Sequence, residues 1–145
     1  MTALHLCGTA DASRLSALTA QYDLEMGVSR NDEERRAAFA PLLDGSPHGA
    51  VWLLGPKVSP VGFAAFSFGW SPDVSGLIGR LETLWIRPGV RGRGMAGEVL
   101  VAMGKSLAEH GVCQLSAYIP VAAERLFIRS GFIAAEDGRL MQTRL

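Results

Sequence analysis

The sequence predicts an α+β (mixed α/β) fold, with a mixed, mostly antiparallel sheet that holds one parallel strand pair and is flanked by about four helices. Two observations carry this. Apolar runs of strand length follow one another at 50–54, 61–70 and 81–86 with turn chemistry between them, the pattern of an antiparallel meander. A helical stretch then separates the third run from another at 114–119. A strand–helix–strand order needs a crossover connection, hence a parallel pair.

The elements read in order as follows. Leu4-His5-Leu6 is a short first strand. Thr9 and Asp11 are helix-start residues, and Leu15, Leu18, Tyr22 and Met26 recur at helical spacing until Gly27. Asn31 or Asp32 caps a second helix running from Glu33 through Phe39 to Leu42, and Asp44-Gly-Ser-Pro47 turns the chain. The meander follows, with Ser71–Gly79 as the loop before its last strand. A third helix places Ala96, Val99, Leu100, Met103 and Leu107 on one face and stops at Gly111. Strand 114–119 leads through Pro120 into a helix from Ala122 to Ser130. Phe132–Leu145 reads as a closing hairpin turning near Asp137-Gly138.

Composition bounds the function. The chain has 145 residues, expected to form a single domain over 1–145, a size at which folding buries roughly 70% of the unfolded chain's surface. At 48% hydrophobic it is too apolar for disorder. A net charge of zero argues against broad nucleic-acid binding, which runs on excess Lys and Arg. Two distant cysteines, Cys7 and Cys113, and three scattered histidines give no disulfide framework and no metal cluster, so no metal is expected. The N-terminus lacks a signal-peptide pattern, and no apolar run approaches the roughly 18 residues of a membrane span. The expected setting is the reducing cytoplasm, away from membranes.

The most informative stretch is Ile86-Arg-Pro-Gly-Val-Arg-Gly-Arg-Gly-Met-Ala96, which leaves a strand and opens a helix. The first amides of a helix lack intrahelical acceptors and carry partial positive charge, so a pyrophosphate is a natural occupant. Arg87, Arg91 and Arg93 add full charges. A Walker loop is excluded, because Val99 stands where the first glycine before Gly104-Lys105-Ser106 must be. Gly92, Gly94 and Gly97 match a dinucleotide fingerprint, but the carboxylate expected about 20 residues on is missing from 114–119. The plainest alternative is an ordinary helix start with solvated arginines.

Arg91-Gly-Arg-Gly-Met-Ala96 has the Gln/Arg-x-x-Gly-x-Gly/Ala form and resembles the GNAT superfamily of N-acetyltransferases. The preceding Leu84-Trp-Ile-Arg-Pro88 resembles that superfamily's strand into the acetyl-CoA loop, and Ala123–Phe132 its second signature, a short helix ending in Gly-Phe. The resemblance is strong over 81–132 and architectural before that. It implies an acetyl-CoA-dependent transfer to a primary amine of a small molecule or peptide by direct attack. Amides of Arg91, Gly92, Arg93, Gly94, Met95 and Ala96 would cradle the pyrophosphate, and the strand edge Leu84, Trp85, Ile86 would pair with the pantetheine arm. That strand and its parallel neighbour would form a central, splayed pair in the sheet, with the Ile86 amide as oxyanion donor.

Two positions depart from the family pattern. Pro120 stands where Asn is usual, and Phe127, a cofactor-contact position, stands where a Tyr usually protonates the thiolate. Tyr118 is the substitute acid candidate, against a plain packing role. Glu82, on the strand leading to the acetyl group, is the candidate base; the alternative is a solvated edge carboxylate. Trp70 and Glu25 are the candidate substrate-binding residues. The departures motivate a second reading, a weakly catalytic or non-catalytic acyl-CoA sensor. A homodimer is the expected assembly.

Overall fold

The computed structural model describes residues 2–135 and 137–145. Its elements are β1 (Leu4–Leu6), α1 (Ala12–Met26), α2 (Asp32–Phe39), β2 (Gly49–Leu54), β3 (Gly62–Ser71), β4 (Gly76–Ile86), α3 (Met95–Glu109), β5 (Val112–Ala117) and α4 (Glu124–Arg129). The strands form one sheet in the order β1-β2-β3-β4-β5, antiparallel up to β4 and parallel between β4 and β5. The α+β class and the parallel pair are as the sequence predicts, but among the described residues the pair lies at the edge of the sheet and not at its centre, because no strand forms after α4 to cover β5.

Helix ends follow local chemistry. Asn31 caps α2 by accepting from the Glu34 amide at 2.8 Å, while Glu34 accepts from the Asn31 amide at 3.3 Å, a reciprocal box. Acidic residues at 32–34 sit on the positive end of that helix dipole. Helix α2 stops at Phe39, and Pro41 continues only as a 3₁₀ turn over Ala40–Leu42.

Each face of the sheet buries its own core. Strand alternation sends Val51, Leu53, Phe63, Ala65 and Trp85 toward α1, where they meet Leu15 and Leu18. Phe63, fully buried, has the rings of Tyr22, Phe39 and Trp85 around it, with centroids 5.8, 5.9 and 6.2 Å away. Leu54, Ala64, Phe66, Leu81 and Ile86 point the other way, onto Val99, Leu100, Met103 and Leu107 of α3 and Phe127 of α4. Burial pushes the Cys7 thiol up to about 12, with Asp11 adding repulsion, so this cysteine packs as a neutral apolar group.

Three sequence expectations need correction. Strand β4 starts at Gly76, so the expected loop over 71–79 shrinks to a short turn. The expected strand at 114–119 lies two residues earlier, leaving Tyr118 beyond its end. No strand forms in the described residues from 132 onward, where a hairpin was expected; Ile133 and Met141 are exposed there. Of that hairpin, Glu136 lies outside the described residues.

Candidate functional site

The strand pairing makes a gap. Strands β4 and β5 stay together only from Leu77–Val112 to Leu81–Ala117, while β4 runs on to Ile86. Which backbone groups face that gap follows from the other edge. The Arg87 amide donates to the Val61 carbonyl at 2.7 Å, and antiparallel bonding alternates, so Trp85 and Thr83 also turn to β3. Leu84 and Ile86 therefore direct their backbone groups to the side where β5 has parted.

A bulge sits where the gap opens. Ala65 pairs with Thr83 and Phe66 with Leu81, so Glu82 is an extra residue in β4. The bulge resets the alternation. Leu81 and Leu84 both belong to the α3 face, and the two residues between them, Glu82 and Thr83, both line a hollow on the α1–α2 face. This hollow has a volume of about 540 Å³. Glu82 is exposed there, accepts from the Ser67 hydroxyl at 2.8 Å, and has the Arg80 guanidinium 3.7 Å away.

Beyond Ile86 lies the glycine–arginine loop. Gly92 and Gly94 take φ of +81° and +76°, and no heavy atom stands within 4 Å of where a side chain would begin at either. L-residues avoid this conformation, so the open loop depends on glycine. Helix α3 starts at Met95 with Gly94 as its N-cap and no side-chain cap. Its first amides are thus available to an anion, and the exposed Arg93 adds charge beside them.

Arg91 ties this loop to the rest of the fold. Its Nε donates to the Ile86 carbonyl at 2.7 Å and a terminal nitrogen donates to Glu25 at 2.8 Å. The same Glu25 oxygen accepts from the Trp85 indole N–H at 3.0 Å. Glu25, expected to meet substrate, is exposed and held by Trp85 and Arg91, and no local sequence signal links residues 60 and 66 positions apart. The hydrogen bond from Arg91, then that from Trp85, holds the Glu25 carboxyl below its usual range. A depressed carboxylate favours the folded state above its unfolded pKa, and that advantage fades as the pH falls through the folded value. Glu25→Gln keeps an acceptor oxygen but loses the charge. It is expected to melt below the parent at pH 7, with the difference vanishing in acid; thermal melts across pH check this, and a pH-independent difference counts against it.

The other expected residues scatter. Trp85 is buried and its backbone groups turn to β3, so of the expected strand edge only Leu84 and Ile86 face the gap. Trp70 falls by alternation on the face of Phe66 and Phe68, opposite the Glu82 hollow, and is 69% exposed. Phe127 is buried with its ring 5.1 Å from Phe132. Tyr118 is 76% exposed and lines neither of two hollows. The second hollow, about 920 Å³, lies between α3, β5, α4 and residues 130–135; the loop 91–96 takes no part in it. Among the described residues no three His, Cys, Asp or Glu side chains group to hold a metal ion.

The sequence profile of the Acetyltransferase (GNAT) family matches residues 15–132. No curated protein matches. Among solved structures, a predicted acetyltransferase with acetyl-CoA from Clostridium acetobutylicum is similar with a TM-score of 0.77 and 17% identity, covering 98% of this chain and 96% of that one. An aminoglycoside N-acetyltransferase in complex with CoA gives 0.78 and 16%, covering 100% and 96%. A ribosomal-protein-alanine N-acetyltransferase from Brucella melitensis gives 0.77 and 19%, covering 100% and 99%. At these identities the likeness concerns the fold.

Proposed function

Because the chain belongs to the GNAT acetyltransferase family, we propose that it moves an acetyl group from acetyl-CoA to a primary amine of a small molecule or peptide by direct attack. The observation that carries this reading is the parting of β4 from β5 immediately before an open glycine loop and an uncapped helix start. These residues fit the cofactor. The amides over 91–96 and Arg93 suit a diphosphate, and the backbone edge of Leu84 and Ile86 suits the amides of a pantetheine arm.

In this reading the amine nitrogen attacks the thioester carbonyl, the C–N bond forms and the C–S bond breaks. The Ile86 N–H meets the charge developing on the carbonyl oxygen. Glu82 takes the proton from the amine, directly or through one water, with Ser67 orienting its carboxylate. Phe127 carries no proton for the leaving thiolate, and Tyr118, exposed directly after the end of β5, is the candidate acid on this side of the gap. A thiol pKa of about 8.5 makes that departure feasible near neutral pH.

We take residues 1–145 as one such domain acting in a reducing cytoplasm, which two unpaired cysteines suit, and assembling as a homodimer. The buried, proton-free Phe127 favours a second reading, an acyl-CoA sensor of weak or no activity. A thiol-release assay over an amine panel between pH 6 and 9, run beside calorimetry with acetyl-CoA, separates the two. Amine-dependent release is expected. Tight cofactor binding with no amine-dependent release would leave the sensor, and no binding at all would end both.

A further inference from the structure

We infer that the acceptor is a monoamine with an apolar, preferably aromatic, body, and not a polycation. This rests on the amine-acetylating reading and names the substrate class of the hollow that Glu82 lines. Two carboxylates border that hollow, Asp23 and Glu82. Asp23 is 3% exposed and already grips Arg30 through two hydrogen bonds, 2.7 Å to Nε and 3.0 Å to a terminal nitrogen. Its charge is neutralised inside the protein. Glu82 is the carboxylate left to meet an ammonium group: its hydrogen-bond partner Ser67 is neutral, and its 3.7 Å pair with Arg80 is exposed and weak enough for an incoming ammonium to displace.

The remaining walls do not favour a second cation. Arg30 is itself a wall residue, and His48 stands at the same hollow. Val28, Phe39, Leu42 and Tyr22 supply an apolar and aromatic surface instead. Phe39 and Tyr22 are fixed edge-on against Phe63, so that surface is rigid. An ammonium at Glu82 with a hydrocarbon body along Phe39 leaves no charge unpaired. A polyamine or an aminoglycoside would bring further ammonium groups against the already paired Asp23–Arg30 and apolar carbon, where no free carboxylate remains and each must stay hydrated or lose its hydration uncompensated.

The test measures kcat/KM by thiol release with phenethylamine, spermidine and kanamycin, beside acetyl-CoA calorimetry. Phenethylamine is expected to exceed both polycations by about tenfold or more, the scale at which pockets discriminate by apolar fit and unmatched charge. Val28→Asp adds a carboxylate at an exposed wall position and so does not threaten the fold. It should raise spermidine relative to phenethylamine by several-fold while leaving the acetyl-CoA Kd unchanged. Spermidine or kanamycin equal to or better than phenethylamine in the parent overturns the assignment and leaves the amine-acetylating reading standing. An unshifted preference in Val28→Asp also counts against it. Acetyl-CoA binding with no release from any amine overturns the reading itself and this assignment with it.

Discussion

Glu82→Gln is expected to lower kcat/KM toward an amine about a hundred- to ten-thousand-fold near neutral pH, the usual contribution of a positioned general base. The substitution is a clean test because Gln keeps a carbonyl oxygen for the Ser67 hydroxyl and the volume is unchanged. The ion pair with Arg80 that it removes is exposed and 3.7 Å long, and such pairs contribute little to stability. Cofactor affinity should hold, since Glu82 faces the α1–α2 hollow and the loop lies beyond Ile86. The deficit should be largest at low pH. A lysine-like amine has a pKa of about 10.4, so rising pH supplies the neutral nucleophile without help and narrows the gap between the two proteins. Parallel pH profiles would remove Glu82 from the base role, whatever the size of the loss.

That prediction combines a feature the sequence displays with one it hides. The loop is legible because turn glycines and arginines crowd into the eleven residues 86–96 and lead directly into a helix periodicity, and each signals the same thing locally. The meander was legible for a similar reason, long apolar runs split by short polar turns. What the sequence conceals is parity. A bulge at Glu82 adds one residue to β4 and reverses which side chains share a face, and it depends on pairing with β3. The same alternation puts Trp70 on the far side of the sheet.

Gly76 and Gly79 carry a signal that only the sheet resolves. They look like turn residues, yet both lie inside β4 where Cys113 and Leu115 of β5 press against them; a side chain at 79 would begin 2.8 Å from Leu115. Glycine in a strand here marks close approach, not a loop. The contacts of Glu25 are hidden in the sequence because its partners, Trp85 and Arg91, become neighbours only when α1 packs on the sheet. The last residues illustrate the converse. The turn chemistry of Asp137-Gly138 gives 132–145 the look of a hairpin, but a hairpin requires a face to cover, and Ile133 and Leu140 remain exposed.

Gly94→Val is expected to raise the acetyl-CoA Kd by about a hundredfold or more while leaving the fold intact. Two effects add. Gly94 sits at φ +76° as the N-cap of α3, and an L-residue in this region costs about 1–2 kcal/mol, more for a β-branched one. The chain escapes by rotating the peptide, and with it the amides that α3 presents. Each charge-assisted hydrogen bond to an anion is worth about 1.5–3 kcal/mol, so misaligning two of them is enough for the stated loss. Nothing stands within 4 Å of the new Cβ, so the loss does not come from a clash of that atom inside the protein; in the proposed reading the isopropyl group instead projects into the space the diphosphate takes. Gly89→Val is the control, since that residue is in the same connection, has equally open surroundings and carries no left-handed φ. It should bind acetyl-CoA as the parent does. Calorimetry on the three proteins, with melting temperatures within a few degrees of one another, decides the matter. If Gly94→Val keeps parental affinity, the anion is not held by this loop, and the gap beside Ile86 loses the anchor that would aim a thioester into it.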